Sequence, residues 1–339
     1  MIQMANQKLA NHRVSKSILI GLLVSAWTTP GFAQETDLPS KNSYLTVEPP
    51  RKTLDFLAKP AKATPSEQLA YAQGLADDGK TKSALKQMRY LVLKWPESSE
   101  APVAQLHRAQ LLQAHENWDE AFEAYQFLMN KYAGQFPYDD VLDAQFQIAN
   151  TVENGRARIF GIPAARAPER AIPLYQAIIA NAPQWASSAD AQYRIGSINQ
   201  GNLDFEEAIL AFEAVMGNYA GSDFERLATF AKAQCLDRLS RENPNDEAAA
   251  QTAWAAYNLY LQKFPKTDDA EEAFKRRDAI RASLAEGQYK KALYYDETVK
   301  SARAARIAYE ELLEEFPNSA WTEVAQQRIR QLSTETDGN

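Results

Sequence analysis

The chain has 339 residues, 45% of them hydrophobic and only 13 of them glycine. This composition excludes collagen-like and low-complexity sequences and allows a sizeable hydrophobic core. The formal net charge of −7 argues against nucleic acid or a bulk anionic membrane surface as the main partner.

The N-terminal stretch 1–33 has the pattern of an export signal. A basic start without acids precedes an apolar run, SILIGLLVSAW, which is short for a bilayer span. Small residues follow, and we expect cleavage after Ala33. Loss of the three basic residues of this stretch would change the net charge from −7 to −10. We therefore predict an exported, periplasmic protein; a retained anchor helix is the alternative.

The single cysteine, Cys235, lies far from the predicted cleavage point. A bacterial lipoprotein needs a cysteine at that point for acylation, so a lipid anchor is not predicted. Cys235 has apolar neighbours in AKAQCLDRL, which favours a buried free thiol. We expect no disulfide in this chain.

Residues 34–64 differ from the rest of the chain. They contain several prolines and little hydrophobic periodicity, which is typical of an extended tether. The folded domain is predicted to span 65–333, and 334–339 is predicted to be a disordered tail.

Within the predicted domain, one helical segment recurs six times. Each copy begins with alanine and carries large, mostly aromatic or aliphatic residues four and seven positions later, which share one helical face. Proline ends most copies, and Ala-Gly replaces it in the others. The leading residues are Ala84, Ala121, Ala171, Ala208, Ala253 and Ala305.

A second helical pattern precedes most of these segments, and small residues recur at one position in it. These are Ala72, Ala109, Ala149, Gly196 and Ala233. The octapeptides DAQFQIAN (143–150) and DAQYRIGS (190–197) are the closest pair of copies. A small side chain allows two antiparallel helices to approach closely, so each unit is predicted to be a helix–turn–helix.

This order of small residue, turn, alanine, aromatic residue and proline is that of the tetratricopeptide repeat (TPR). We therefore predict an all-α fold, a right-handed α-solenoid of about six TPR-like repeats with a capping helix at Trp321–Leu332. No strand is evident. The extra length between repeats is predicted to be loop or helix extension, at Gly155–Arg170, at Ser240–Ala249 and after Asp268.

On the first helices, one column of large side chains is a candidate groove. The column contains Leu69, Leu106, Phe146, Tyr193, Phe230 and Phe274. These side chains either line an apolar groove for an extended or helical peptide, or fill the core between repeats. A groove predicts that Tyr193→Ala weakens peptide binding with little loss of thermal stability, and a core predicts the reverse.

No catalytic motif is found in the sequence. His107 and His115 lack the additional ligands of a metal site, and no Gly-rich phosphate loop or nucleophile motif is present. A basic group at Arg276, Arg277 and Arg281 is either a solvated face or a docking patch for an acidic partner. We predict no enzyme activity, no cofactor and no metal site.

Two stretches of the chain resemble the BamD family, the TPR lipoproteins of the outer-membrane β-barrel assembly machine. LAEGQYKKALYY (284–295), with the following helix and EEFPNSAWTEVAQQRIRQL, is similar to the C-terminal end of that family. RIFGIPAARAPERAIPLYQAI (158–178) resembles the insertion in its third repeat. The chain departs from the family in lacking the lipid-anchoring cysteine and in having six predicted repeats, where the family usually has five.

The resemblance implies a non-enzymatic periplasmic scaffold in outer-membrane β-barrel protein assembly. Its partners would be outer-membrane proteins, assembly-machine subunits or peptide segments. No nucleic acid is expected, and membrane association, peripheral to the outer membrane, would occur only through partners. The alternative is a different envelope TPR adaptor, one that coordinates cell-wall synthesis or polysaccharide export.

Overall fold

The computed structural model describes residues 59–159 and 162–337, without the side chains of 156–165 and 335–337. The described residues belong to one compact unit, Asn42–Asn339. The predicted signal, 1–33, and most of the predicted tether, 34–64, lie outside them, so both remain predictions.

Thirteen α-helices form almost all of the described structure. They are α1 (Pro65–Asp77), α2 (Thr81–Lys94), α3 (Glu100–Ala114), α4 (Trp118–Lys131), α5 (Tyr138–Asn154), α6 (Ile172–Asn181), α7 (Ser188–Gly201), α8 (Phe205–Asn218), α9 (Asp223–Glu242), α10 (Glu247–Lys263), α11 (Ala270–Leu293), α12 (Ala302–Glu315) and α13 (Thr322–Asp337). None of the helices in the described ranges is both long enough and apolar enough to cross a membrane.

Each helix packs against the next along the chain, and in two places the first helices of successive pairs also pack together, α1 with α3 and α7 with α9. The helices therefore form six pairs, α1–α2 through α11–α12, followed by α13, which packs on α12. This is the predicted all-α solenoid of TPR-type repeats, and the prediction is confirmed.

The periodic positions found in the sequence form the core. All six leading alanines of the second helices are fully buried. The residue four positions after each of them is also at most 2% exposed. These larger residues are Met88, Tyr125, Tyr175, Phe212, Tyr257 and Tyr309. One helical face of each second helix is thus buried, which supplies most of the driving force for stacking.

Four of the pairs reverse direction through the same backbone conformation. The residue five positions before the leading alanine has a positive φ: 74° at Gly79, 58° at Glu116, 67° at Leu203 and 54° at Lys300. A left-handed residue at this point ends a helix and satisfies its last carbonyl groups. Only the first pair uses glycine, so each of the other three carries a strain of about 1–2 kcal/mol.

The insertion between α5 and α6 corrects one expectation. It contains an antiparallel hairpin of β1 (Arg156–Ile159) and β2 (Ile162–Arg166), followed by a 3-10 turn at Pro168–Ala171. No strand had been evident in the sequence. The segment is too short and too irregular in pattern to form a helix pair, so its two arms satisfy part of each other's main-chain hydrogen bonding instead.

The C-terminal helix is longer than expected. It was predicted to end at Leu332 and continues to Asp337, so part of the tail that was predicted to be disordered, 334–337, is helical. Arg330 is exposed and stands at the position that a small residue occupies in DAQYRIGS. A bulky charged side chain at this position does not allow the close helix approach that a small residue allows.

Candidate functional site: the face of the first helices

Five of the six predicted groove residues lie in register on first helices, three positions before the small residue. They are Leu69, Leu106, Phe146, Tyr193 and Phe230. All five are half-buried, so each side chain packs against the protein on one side and leaves some surface exposed on the other.

The rings of this column pack against other rings of their own pair and, at Tyr193, of the next pair. The ring centroid of Tyr193 lies 5.6 Å from that of Phe212, in its own pair, and 5.6 Å from that of Phe224, in the next pair. Phe230 packs within its own pair, with its ring centroid 5.1 Å from that of Tyr260. These distances are typical of favourable aromatic pairs. The geometry favours the interpretation that the rings fill the space between repeats, and peptide binding by them remains a prediction.

Phe274, the sixth predicted groove residue, is out of register with the other five. Its side chain is 51% exposed, and the guanidinium of Arg277 lies 4.5 Å from its ring centroid. The equivalent residue of the last pair is Tyr289, three positions before the fully buried Ala292. Tyr289 stacks on Trp321 with ring centroids 4.2 Å apart.

The long helix α11 is the physical reason for this correction. Its first half, with Ala273 and Ile280, belongs to a core cluster centred on α10. Its second half, with Ala285 and Ala292, belongs to the cluster that contains α12 and α13. One helix therefore serves two repeat interfaces, and a register counted from its N-terminus does not apply to its C-terminal half.

A second column on the first helices was not identified from the sequence. Glutamine occurs directly before the ring position in five pairs: Gln68, Gln105, Gln145, Gln192 and Gln288. Gln105 Nε2 donates to the carbonyl oxygen of Ala124 at 2.8 Å, and Gln192 Nε2 donates to that of Ala211 at 3.2 Å. The shared glutamine of DAQFQIAN and DAQYRIGS was the available signal. Gln105 and Gln192 bond the two helices of a pair, whereas Gln145 donates to Gln126 Oε1 on α4 of the preceding pair.

Charged junctions connect successive first helices. The hydroxyl of Tyr175 donates to Glu153 Oε2 at 2.6 Å, and Arg194 Nη1 of the next pair donates to the same oxygen at 3.1 Å. In the last pair, Arg328 Nε of α13 donates to Asp296 Oδ2 at 2.6 Å. Each junction places a carboxylate between a tyrosine of its own pair and an arginine of the next helix in the stack.

The electrostatics of these junctions follow from burial and pairing. The hydrogen bond from Arg328 lowers the pKa of Asp296, since it stabilises the carboxylate form. Burial, with the adjacent Glu153, raises the pKa of Tyr175 well above its ordinary value. Asp296 is therefore ionised and Tyr175 neutral at physiological pH, a state that suits structural contacts.

The predicted basic patch is largely engaged in contacts within the protein. Arg276 donates to the buried Asp237 at 3.0 Å, and Arg277 donates to Asp278 at 2.8 Å. Arg281 donates to a main-chain carbonyl at the end of α12 at 2.9 Å. Because each guanidinium has its own partner, the three do not form a shared free surface for an acidic partner.

The remaining chemically active side chains also have structural surroundings. His107 Nδ1 lies 2.9 Å from Gln73 Nε2, and His115 Nε2 lies 2.9 Å from Thr81 Oγ1. Cys235 is a buried free thiol, as predicted, and burial raises its pKa to about 12. Among the residues that the structure describes, no cluster of three or more His, Cys, Asp or Glu side chains could hold a metal ion.

Carboxamides that are not part of the core line two open clefts on the first helices. Gln110, Gln113 and Gln147 line a cleft of about 350 Å³ between α3 and α5. Gln200 and Gln234 line a cleft of about 620 Å³ formed by α9, α11 and the α7–α8 turn. Both clefts are accessible parts of the first-helix face; the wall of the α3–α5 cleft is mainly polar, whereas polar and apolar surface contribute about equally to the wall of the larger one.

Comparison with known proteins agrees with the repeat geometry. The stretch 190–222 matches the family model described as a tetratricopeptide repeat. It covers the pair α7–α8 and begins at the aspartate of DAQYRIGS. The chain contains a tetratricopeptide repeat. TPR repeats generally mediate protein–protein interactions, so the first-helix face is the candidate binding surface.

Two solved structures illustrate the similarity. A tetratricopeptide repeat protein from Parabacteroides merdae is 13% identical, with 79% of this chain and 98% of that chain covered and a TM-score of 0.27. The C-terminal part of a TPR repeat-containing protein from Cytophaga hutchinsonii is 15% identical, with 78% and 88% covered and a TM-score of 0.30. No curated protein matches this chain. With TM-scores this low, the assignment rests on the repeat match and the helix geometry.

Proposed function

We propose that the protein is a non-enzymatic scaffold that binds protein partners along the first helices of its repeats. The observation that carries this proposal is the pair of open clefts with carboxamide side chains on that face, at α3–α5 and at α9–α11. The second helices bury their alanines and aromatic residues in the core, so their apolar face is used for packing between helices. The first-helix face keeps side chains that can bind a partner without opening the core.

The proposed setting is the periplasm, and the proposed process is assembly of outer-membrane β-barrel proteins. Two stretches that resemble the BamD family, 158–178 and 284–332, support this, as does the signal-like stretch 1–33. Because no cysteine stands at the expected cleavage point, we propose a BamD-like paralogue that reaches the outer membrane only through its partners.

The experiment that tests this proposal is site-specific photocrosslinking in the bacterial envelope. A photoreactive residue replaces Gln110 in one cleft, and the matched control replaces Gln251, which is exposed on α10 outside both clefts. We expect β-barrel assembly subunits or outer-membrane proteins to be crosslinked at position 110 and not at position 251. Mass spectrometry of the crosslinked bands identifies them.

The other outcomes have definite meanings. Recovery of cell-wall synthesis enzymes or polysaccharide-export proteins at position 110 would support the alternative envelope adaptor. Crosslinking at position 251 but not at position 110 would show that partners bind a different face. Recovery of the unprocessed chain in the cytoplasm, by fractionation and N-terminal sequencing, would rule out the periplasmic setting.

A further inference from the structure

The exposed side of α2 carries an unusual charge pattern. This helix contains no acidic residue and four basic ones: Lys82, Lys86, Arg89 and Lys94. The first three follow one another at intervals of four and three residues, so they share one helical face. All three are exposed, and we call them the basic stripe. In a chain whose formal net charge is −7, this stripe is a local exception.

The next second helix, α4, has the opposite charge at the same repeat positions. The first two members of the basic stripe stand two residues before and two residues after the leading alanine of α2. Asp119 and Glu123 occupy these two positions on α4, and Glu120 adds a third acid in the first turn. All three acids are exposed, and we call them the acidic stripe. Neighbouring repeats therefore present opposite charges at equivalent positions.

Most of these charges lack a partner of opposite sign within the chain. No hydrogen bond or ion pair joins the basic stripe to a carboxylate of the described residues. In the acidic stripe, Asp119 pairs with Arg170 at 3.0 Å. Burial, with the neighbouring Asp119 and Glu120, raises the pKa of Glu123 above its ordinary value. This direction is that of a carboxylate placed among other acids without a bound cation.

The two stripes lie on neighbouring helices that run in the same direction, because α3 reverses the chain between α2 and α4. Arg108 on α3 is half-buried and senses both stripes. Burial and the nearby Arg89 lower the pKa of Arg108, whereas Glu120 and Glu123 act in the opposite direction. The second-helix side of the first two pairs therefore carries a basic strip directly beside a parallel acidic strip.

Such a surface is complementary to itself. A twofold homodimer uses the same patch on both copies, so the patch must match its own rotated image. An axis parallel to the helices, between α2 and α4, places each basic stripe over the acidic stripe of the other copy. Equivalent positions then meet, with Lys86 opposite Glu123 and Lys82 opposite the first-turn acids. The half-buried rings of Tyr90 and Phe127, also at equivalent positions, would face each other beside them.

We propose that the chain forms a twofold homodimer in which the basic stripe of α2 binds the acidic stripe of α4 in the second copy. A basic stripe alone suits any anion, but the acidic stripe at matched positions favours a second copy of this chain. Exposed ion pairs stabilise little individually, so the dimer is weak and dependent on salt. The inference goes beyond the proposed function, because the dimer leaves both first-helix faces free for partners.

Sedimentation velocity of the full chain measures the dimer directly. At about 0.05 M salt, where the Debye length exceeds about 10 Å, we expect a shift from monomer to dimer as concentration rises. At about 1 M salt the Debye length is about 3 Å, and we expect a monomer. The dissociation constant of the dimer should increase by at least about tenfold between the two conditions.

Charge reversal tests which stripes meet. Lys82→Glu combined with Lys86→Glu makes both stripes predominantly acidic, and Glu120→Lys combined with Glu123→Lys makes both predominantly basic. Each variant alone should dimerise at least about tenfold more weakly, because like charges would face each other. An equimolar mixture of the two variants restores opposite charges at both contacts. We expect the mixture to form a heterodimer about as readily as the wild type forms its homodimer.

The control separates this contact from net charge. Glu206→Lys combined with Glu207→Lys changes two exposed acids of α8 and alters the net charge as much as the α4 variant does. This variant should dimerise as wild type. Thermal melts should agree for all the variants, because every replaced side chain is exposed.

Four results would overturn the inference. A wild-type chain that stays monomeric at low salt would refute it. A dimer that survives both stripe variants would place the contact elsewhere, and equal loss in the α8 control would show an effect of net charge. Binding of a monomeric chain to phosphatidylglycerol vesicles through the basic stripe would assign that stripe to lipid phosphate. Photocrosslinking at position 110 probes the first-helix face, so the scaffold proposal stands or falls separately.

Discussion

At the scale of single residues, one close contact between the two helices of a pair depends on Gly196. The other first helices have alanine at this position, and the facing residue on the second helix is methionine or tyrosine. In the fourth pair, Phe212 takes the space instead. A Cβ built on Gly196 would lie 2.5 Å from Phe212 Cε1, well inside van der Waals contact.

We predict that Gly196→Ala lowers the free energy of unfolding by about 1–3 kcal/mol, the usual cost of an overpacked core. The control is Gly201→Ala in the same helix, where a Cβ meets nothing within 4 Å. That change should be neutral or stabilising by up to about 1 kcal/mol, since alanine favours helix. Urea denaturation measures both, and equal stabilities of the two variants would contradict the prediction.

Tyr193 provides a second prediction at this scale. As a groove residue it was expected to tolerate alanine with little loss of thermal stability. Its contacts with Phe212 and Phe224 now predict a loss of about 2–4 kcal/mol for Tyr193→Ala, because truncation leaves a cavity between two pairs. Tyr193→Phe should remain near wild type. An unchanged melting temperature for the alanine variant would restore the groove interpretation.

At the scale of elements, the junctions between successive first helices decide how one pair sits on the next. Asp296 is the clearest case, because the side chain is only 8% exposed and Arg328 of α13 binds it through two nitrogens. The pairing lowers the folded pKa of Asp296. Such a carboxylate stabilises the fold above its unfolded pKa of about 4, and the contribution is lost as pH falls through the folded value.

We therefore predict that Asp296→Asn destabilises the protein at pH 7 by about 1.5–3 kcal/mol, the value of hydrogen bonds to a charged group. The difference from wild type should shrink below about pH 4, where the carboxyl becomes protonated. Asp78→Asn is the control, since its pair with Lys80 is about 60% exposed. It should change stability by less than about 1 kcal/mol at any pH. A difference independent of pH would contradict the assigned role.

Most elements could be predicted from the sequence, and the exceptions have local causes. The leading alanines and the large residues four positions later predicted every second helix, because their spacing indicates which helical face is buried. The hairpin at 156–166 was missed since short strands without alternation give no periodic signal. Phe274 was assigned to the wrong register because the two halves of α11 have different registers. The difference is visible only when the helices that pack against each half, α10 and α12, are known.

At the scale of the whole molecule, the stack is a sum of interfaces between neighbours. The last interface is formed by α13, whose Ala325 and Leu332 are buried against the α12 cluster. Its opposite side carries Arg330 and is exposed. The helix therefore closes the apolar end of the array.

We predict that removal of 318–339 destabilises the last pair selectively. Amide hydrogen exchange should become faster in α11 and α12, while α3 and α4 keep their protection, because only the neighbouring interface is lost. Removal of 335–339 alone is the control and should leave exchange unchanged. Equal loss of protection in all pairs would show that the array unfolds as one cooperative unit.

The amino-acid sequence by itself determined the helix pairs, their repetition and the residues of the core. These features depend on the local spacing of residues, which can be read directly from a single sequence. The tertiary structure decided what the first-helix face offers to a partner. Whether a ring is core or groove, and whether an amide is bonded or free, depends on contacts between residues of different repeats. DAQFQIAN and DAQYRIGS carry both kinds of residue side by side, and only packing separated the buried glutamine from the exposed polar positions.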